Sequence, residues 1–301
     1  MAAANRRSLR SVIDEDLGPT SRHFVSQRLR LHYLDWGNAA APPLILLHGG
    51  RDHAHSWDWV ARALRDRWHV IAPDLRGHGD SAWSPDGAYQ VNDFVYDLAQ
   101  LIHQLAEEPV TIVAHSYGGA IALLYAAIYP ERVRRLVAIE AMLPPAAPGA
   151  PASRPAPQIW RDWIEERRAI AIRPPRRYAS VDDALARMRA ANAHLSEAQA
   201  RHLTVHGVNR NEDGTFSWKF DDLFRAGSPQ NMTEAEQYRL WEAVTCPVLL
   251  AGGEESWATD PAEDGRLAHF ADARVVRFAG AGHWVHHDRL EAFVAELRAF
   301  L

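Results

Sequence analysis

The sequence predicts an α/β protein in which a mostly parallel, doubly wound sheet is interrupted by a mainly helical insertion. Three observations lead there. Short apolar runs recur along the chain, bounded by Gly, Pro and Asp. Stretches with helical spacing alternate with them. The alternation lapses in the middle third and resumes near Val248.

The predicted strands are Leu29–Leu34, Pro43–Leu47, Val70–Ala72, Val110–Ala114, Leu136–Ile139, Val248–Ala251 and Val275–Phe278. Most are continuously apolar rather than alternating, as expected of strands covered on both faces. Helical spacing is found over Trp57–Leu64, Asn92–Leu105, Ala120–Tyr129 and Leu290–Phe300, with Asn92 and Ser116 at N-cap or entry-turn positions. After Ile139 the pattern changes. Pro144 to Pro157 is a Pro- and Ala-rich collar, followed by helical segments at Gln158–Ala171, Val181–His194 and Glu197–His206 and a strand-like piece at Gly214–Phe220. The chain therefore divides into a tail (1–20), a core in two parts (21–143 and 239–301) and a helical cap (144–238). The cap is expected on the strands' C-terminal edge, where α/β proteins place their ligands.

Bulk properties narrow the function. With 301 residues the chain can bury a sizeable core. A net charge of −5 without long single-sign runs argues against nucleic acid or an acidic membrane surface as partner. No window approaches the roughly 20 apolar residues of a membrane span, and residues 1–20 carry arginines without the apolar stretch of a signal peptide. The single cysteine, Cys246, excludes an intramolecular disulfide and sits in an apolar strand, the setting of a buried, inert thiol. A cytoplasmic location is the expectation that fits.

The most informative segment is Val110-Thr-Ile-Val-Ala-His-Ser-Tyr-Gly-Gly119. A buried strand runs into a sharp turn with Ser116 at its tip, and a helix starts at once. This resembles the nucleophile elbow G-x-S-x-G, with Ala114 at the first small position. Small residues are needed because the serine's backbone is strained and the strand and helix almost touch there. Three more segments occur in the same chain order as in one known family. Leu47-His48-Gly49-Gly50 resembles its oxyanion loop, Asp74-Leu-Arg-Gly-His-Gly-Asp-Ser81 the turn after the next strand, and Gly280-Ala-Gly-His-Trp284 the loop that delivers a histidine. From about Ser21 to Leu301 the chain thus resembles the α/β-hydrolase superfamily with a cap, and the α/β-hydrolase fold is what the resemblance implies.

The resemblance implies Ser116 as nucleophile and His283 as general base. A serine hydroxyl needs a base, and an imidazole with a pKa near 6.5 can take and return its proton, so activity is expected to fall on acidification. The backbone N–H groups of Gly50 and Tyr117 would form the oxyanion hole. The acid departs from the commonest pattern, in which an aspartate follows the strand Val248–Ala251; here Gly253-Glu-Glu-Ser256 puts a serine in that place. Certain dehalogenases and lactonases of the family carry the acid one strand earlier, which points to Glu140; Glu255 is the alternative, with Glu254 and Asp260 behind it. Among the aromatic and apolar residues near the presumed site, Trp160, Trp163, Met142 and Trp284 are the candidates for binding substrate.

Two features invite other readings. Asp52-His-Ala-His-Ser-Trp-Asp58 superficially has metal-ligand spacing, but a metallo-hydrolase H-x-H-x-D-H would need Asp at 57 and His at 58. Its place after the oxyanion loop suggests a site wall or a helix start, and no metal or cofactor is expected. Arg76 and His78 read as parts of a hydrogen-bonded turn rather than as reacting groups. The expected activity is hydrolysis of a carboxylic ester or lactone through an acyl-enzyme. Carbon–carbon bond hydrolysis or lyase chemistry on the same fold is the alternative, and a non-catalytic small-molecule binder is the third reading.

Overall fold

The computed structural model describes residues 18–142, 155–230 and 232–301. Strands β1 (Thr20–Ser26), β2 (Leu29–Asp35), β3 (Pro43–Leu47), β4 (His69–Pro73), β5 (Val110–His115), β6 (Val133–Ile139), β9 (Val248–Gly253) and β10 (Ala273–Phe278) form one sheet. Its order is β1-β2-β4-β3-β5-β6-β9-β10. The β1–β2 and β2–β4 pairings are antiparallel and the rest parallel. The predicted strands are all present. β1 is an additional strand. As an edge strand it exposes most of its side chains, so it carries no apolar run.

The helices are α1 (Asp58–Leu64), α2 (Val91–Leu105), α3 (Ser116–Ile128), α4 (Ala156–Ala171), α5 (Val181–Ala191), α6 (Glu197–Gly207), α7 (Glu234–Glu242), α8 (Val285–Asp288) and α9 (Leu290–Phe300). Apolar residues of α2, α3 and α7 pack on one face of the sheet, including Phe94, Leu101, Ile121 and Trp241. Val60 and Leu64 of α1 and Phe293 and Leu297 of α9 pack on the other. β5 serves both layers: Val110, Ile112 and Ala114 join the first and Val113 the second. Each fully buried Val, Ile or Leu contributes about 1.5–3 kcal/mol, so the central strands are the most firmly held part of the chain. The two-sided burial expected from their continuous apolarity is observed.

Between β6 and β9 lie α4, α5, α6, a small antiparallel hairpin of β7 (Val208–Arg210) and β8 (Phe216–Trp218), and α7. Ser180, Ser196 and Thr233 cap α5, α6 and α7 through capping boxes. α2 begins at Val91 with Gln90 as its N-cap, two residues before the predicted cap Asn92. α7 packs on α3 of the core. Most of the expected tail and of the Pro/Ala collar lies outside the described residues. Cys246 is buried, and burial pushes its thiol up to about 11, the state of an inert thiol. Among the described residues no helix is long and apolar enough to cross a membrane.

Candidate active site

Ser116, Glu140 and His283 all stand at the C-terminal edge of the sheet. Ser116 follows β5 directly and has φ 51°, a left-handed conformation rare for a residue with a side chain. Glu140 follows the neighbouring β6 and has φ 52°. Two adjacent parallel strands thus end in the same strained turn, and such strain persists only where surrounding packing holds it. At the elbow the packing is extreme. A Cβ on Gly118 would lie 2.3 Å from the carbonyl oxygen of His48, and one on Gly119 would lie 2.4 Å from the Cβ of Ala141. The helix can lie this close to the end of β3 on one side and to Ala141 on the other only because these residues are glycine.

The side chain of Glu140 is fully buried, with 0% exposure. Its Oε1 accepts from the backbone N–H of Gly253 at 2.7 Å, and its Oε2 accepts from the hydroxyl of Ser256 at 2.6 Å. The same Oε2 faces Nδ1 of His283 at 3.4 Å. Arg277 approaches Oε1 at 3.9 Å and also donates to the carbonyl of Gly253. Ser256, which stands where an aspartate is usual, therefore serves the carboxylate of Glu140. Glu255 instead points to His194, 3.7 Å away, and both side chains are largely exposed. The structure brings Glu140, and not Glu255, to His283.

His283 follows β10 on the loop Gly280–Gly282. Its carbonyl accepts from Nε2–H of His115 at 2.9 Å, so the residue before Ser116 anchors the histidine loop to the elbow. Burial, then the neighbouring His283, hold His115 well below the ordinary imidazole range, which keeps it a neutral donor. The Leu47–Gly50 segment is fixed in a similar way. His48 donates through Nδ1 to the carbonyl of Gly49 at 2.7 Å and accepts at Nε2 from the N–H of Leu75 at 2.9 Å. These bonds set a neutral tautomer, in keeping with burial lowering its pKa to about 3. Asp74 holds the turn by accepting from His32 at 2.6 Å, the N–H of Ala54 at 2.7 Å and the N–H of Asp80 at 2.9 Å. Arg76 makes a two-pronged contact with Asp97 at 2.6 and 2.8 Å, and His78 donates to the carbonyl of Arg76. Both are structural members of that turn.

Ser116, Tyr117, Gly50 and His283 line one cleft of about 1630 Å³ between core and cap. Tyr117 is in the first turn of α3, where backbone N–H groups have no partner within the helix. Phe224, from the cap, closes on Gly50: a Cβ there would come within 2.7 Å of its ring. Phe224 also stacks edge-on with Tyr117, 5.0 Å between centroids. No local signal in the sequence marks Phe224, because only the folded chain brings it to Gly50.

Of the four residues expected to bind substrate, Trp284 lines the cleft, together with Trp83, Trp218 and Trp257. The other three are not among the described residues that line it. Trp160 and Trp163 pack against each other, 5.8 Å between centroids, and Trp163 donates to the carbonyl of Gly227 at 3.2 Å. Trp160 nevertheless stays 42% exposed, and the helix that carries both buries none of its residues. Met142 is buried, and its carbonyl accepts from Arg266 at 2.9 Å behind the site. The cleft's outer lining is basic. Arg51, Arg173, Arg176, Arg187 and Arg225 face it without an ion-pair partner among the described residues, although the chain as a whole carries −5.

Comparison with known proteins agrees with this architecture. Residues 42–290 match the family described as alpha/beta hydrolase fold. An esterase of Mycobacterium tuberculosis is 31% identical over 276 residues, 89% of this chain and 85% of its own. An sn-1-specific diacylglycerol lipase of Mus musculus is 29% identical over 269 residues, 88% of this chain and 82% of its own. Among solved structures, a thioesterase domain from the curacin biosynthetic pathway superposes with a TM-score of 0.81, covering 94% of this chain and 100% of that one at 22% identity, a likeness of fold.

Proposed function

Because the chain belongs to the alpha/beta hydrolase fold family, we propose that it is a serine hydrolase that cleaves a carboxylic ester or lactone through a Ser116–His283–Glu140 triad. The observation that carries the reading is the carboxylate of Glu140. It is held by Gly253 and Ser256 and faces Nδ1 of His283, beside a cleft that Ser116 also lines.

In this reading Nδ1–H of His283 donates to Glu140, which fixes the tautomer and leaves Nε2 free to accept a proton. Ser116 Oγ attacks the acyl carbon as its proton passes to Nε2. The oxyanion that forms accepts from the N–H groups of Gly50 and Tyr117, each worth about 3–4 kcal/mol in the transition state. The imidazolium then protonates the departing alkoxide, leaving an acyl-Ser116. Water, deprotonated by Nε2, attacks that ester, and collapse of the second tetrahedral intermediate returns the proton to Ser116 and frees the acid. An esterase and a lipase among the relatives support the substrate class. The arginines of the cleft lining, which have no ion-pair partner among the described residues, favour substrates that carry an anionic group away from the scissile bond.

Labelling by a fluorophosphonate probe, together with turnover of p-nitrophenyl esters, tests the assignment. Both are expected in the wild type and both are lost in Ser116→Ala with the fold intact. Labelling that persists in Ser116→Ala overturns it.

A further inference from the structure

The segment Asp52–Asp58 finds, in the folded chain, partners that its own spacing does not reveal. His55 stands in a 3₁₀ turn just beyond the oxyanion loop, and Asp58 opens α1. α6 of the cap lies across them and presents His202 and His206, four residues apart and hence on one helical face. One potential ligand atom from each of His55, Asp58, His202 and His206 lies within 4.8 Å of all the others. Asp58 is the centre of the group, with its side chain only 4% exposed. Its carboxylate sits 2.9 Å from Nδ1 of His55 and 3.1 Å from Nε2 of His202. The ring of His206 stacks on that of His55 at 3.8 Å and lies 4.5 Å from that of His202.

We propose that His55, Asp58, His202 and His206 form a binding site for a divalent transition metal, of the zinc class, that clamps the cap to the core. Three imidazoles and one carboxylate are the donor set that zinc accepts in tetrahedral sites, and its ligand atoms there sit about 2.0–2.2 Å from the ion. The present stacking of His55 and His206 requires a turn of one ring about χ2 to aim both nitrogens at a common centre. The three histidines are partly exposed, so an ion can enter from solvent. Two ligands come from the core and two from the cap, and the surroundings already join the two parts. His53 donates to the carbonyl of Leu203 at 2.9 Å, and Gln199 donates to the carbonyl of His287 at 2.8 Å. A bound ion would add four coordinate bonds to these contacts, beside the segment that leads from Gly50. The site takes no part in the acyl-transfer chemistry, so the two stand or fall separately.

A second group, Asp52, His115 and His286, also gathers potential ligand atoms, and it is fully buried behind the elbow. Asp52 Oδ2, His115 Nδ1 and both ring nitrogens of His286 have no partner there. It is therefore the rival location for any ion the protein takes up.

The full-length protein, stripped with a chelator and dialysed, is titrated with Zn²⁺ by calorimetry and with Co²⁺ by visible absorption. The expected result is one equivalent bound, an intense Co²⁺ band of a four-coordinate site that Zn²⁺ bleaches, and a rise in Tm that saturates at that equivalent. The double variant His202→Ala/His206→Ala, and the milder His206→Gln, should bind at least about 10-fold more weakly. Circular dichroism and the metal-free Tm of the same samples report that the fold survives. The proposal is overturned if millimolar Zn²⁺ gives no saturable binding, if both variants bind like the wild type, or if His286→Ala abolishes binding and the α6 variants do not.

Discussion

The core and the cap solve different problems with different means. In the core, α3 buries Gly118, Gly119, Ile121, Ala122, Leu123, Tyr125 and Ala126 against a sheet whose central strands are wholly enclosed. In the cap, α4 runs for 16 residues without burying one of them. The residues that need fixed geometry, Ser116, Glu140 and His283, project from the core. The residues that give the cleft its breadth and charge, among them Trp218, Arg187 and Arg225, come from the cap. Rigid packing thus holds the groups proposed to react, and a loosely packed layer shapes the cleft in front of them.

The largest effect should separate the two candidate acids. Glu140→Gln removes the charge that faces His283 and should lower kcat by about 10³–10⁴, whereas Glu255→Gln, aimed at His194, should leave it within about 2-fold of wild type, as ester-hydrolysis kinetics would show. Adding Ser256→Asp to Glu140→Gln puts a carboxylate back beside the same position and should recover part of the loss. If Glu255→Gln is the damaging change, the core half of the comparison fails.

Gly118→Ala is the next largest. Its methyl group would press on two backbone carbonyls, those of His48 at 2.3 Å and Leu47 at 2.8 Å, which cannot swing aside like a side chain. A loss of about 3 kcal/mol in urea unfolding is expected, with lower kcat because the displaced segment carries Gly50. The same substitution at Gly227 meets nothing within 4 Å, but φ 56° makes it a matter of backbone strain alone, so about 1 kcal/mol is expected.

Acid should also act on the core first. Burial lowers His48 to about 3 and His78 to about 4, and holds His115 and His286 well below the ordinary range. Unfolded, each would titrate near about 6.5. As pH falls, the unfolded chain takes up protons that the folded chain refuses. The stability tied to these histidines is therefore complete above about pH 6.5 and is lost toward pH 4, each adding a slope of about 1.4 kcal/mol per pH unit. Asp52 works in the opposite sense: burial raises it to about 7, so its contribution fades as pH rises from about 4 to 7. Urea midpoints measured across this range should fall steeply on acidification, and a flat profile contradicts the neutral, buried histidines.

The smallest effect belongs to the cap. Arg187→Ala with Arg225→Ala should raise KM for an ester bearing a remote carboxylate by about 5-fold and leave a neutral ester of similar size unchanged. Trp160→Ala should alter neither, since that ring packs on Trp163 rather than lining the cleft. Equal losses for both esters in the arginine variant would remove the cap's part in selectivity.

The sequence by itself determined the sheet, its two-sided burial and the chain order of elbow, oxyanion loop and histidine loop, because these depend on local patterns: apolar runs, and glycines where two backbones touch. It also put Glu140 and Glu255 ahead of Glu254 and Asp260 as candidates for the acid. Only the tertiary structure decided which of the two meets His283, since that depends on β6 and β9 lying side by side and on Ser256 turning its hydroxyl toward Glu140. It also placed Phe224 and Trp257 on the wall of the cleft and left Met142, Trp160 and Trp163 out of its described lining. An aromatic residue carries the same apolar signal in a packed cap as in a cleft wall. Which it becomes is set by distant chain segments, and no local pattern encodes them.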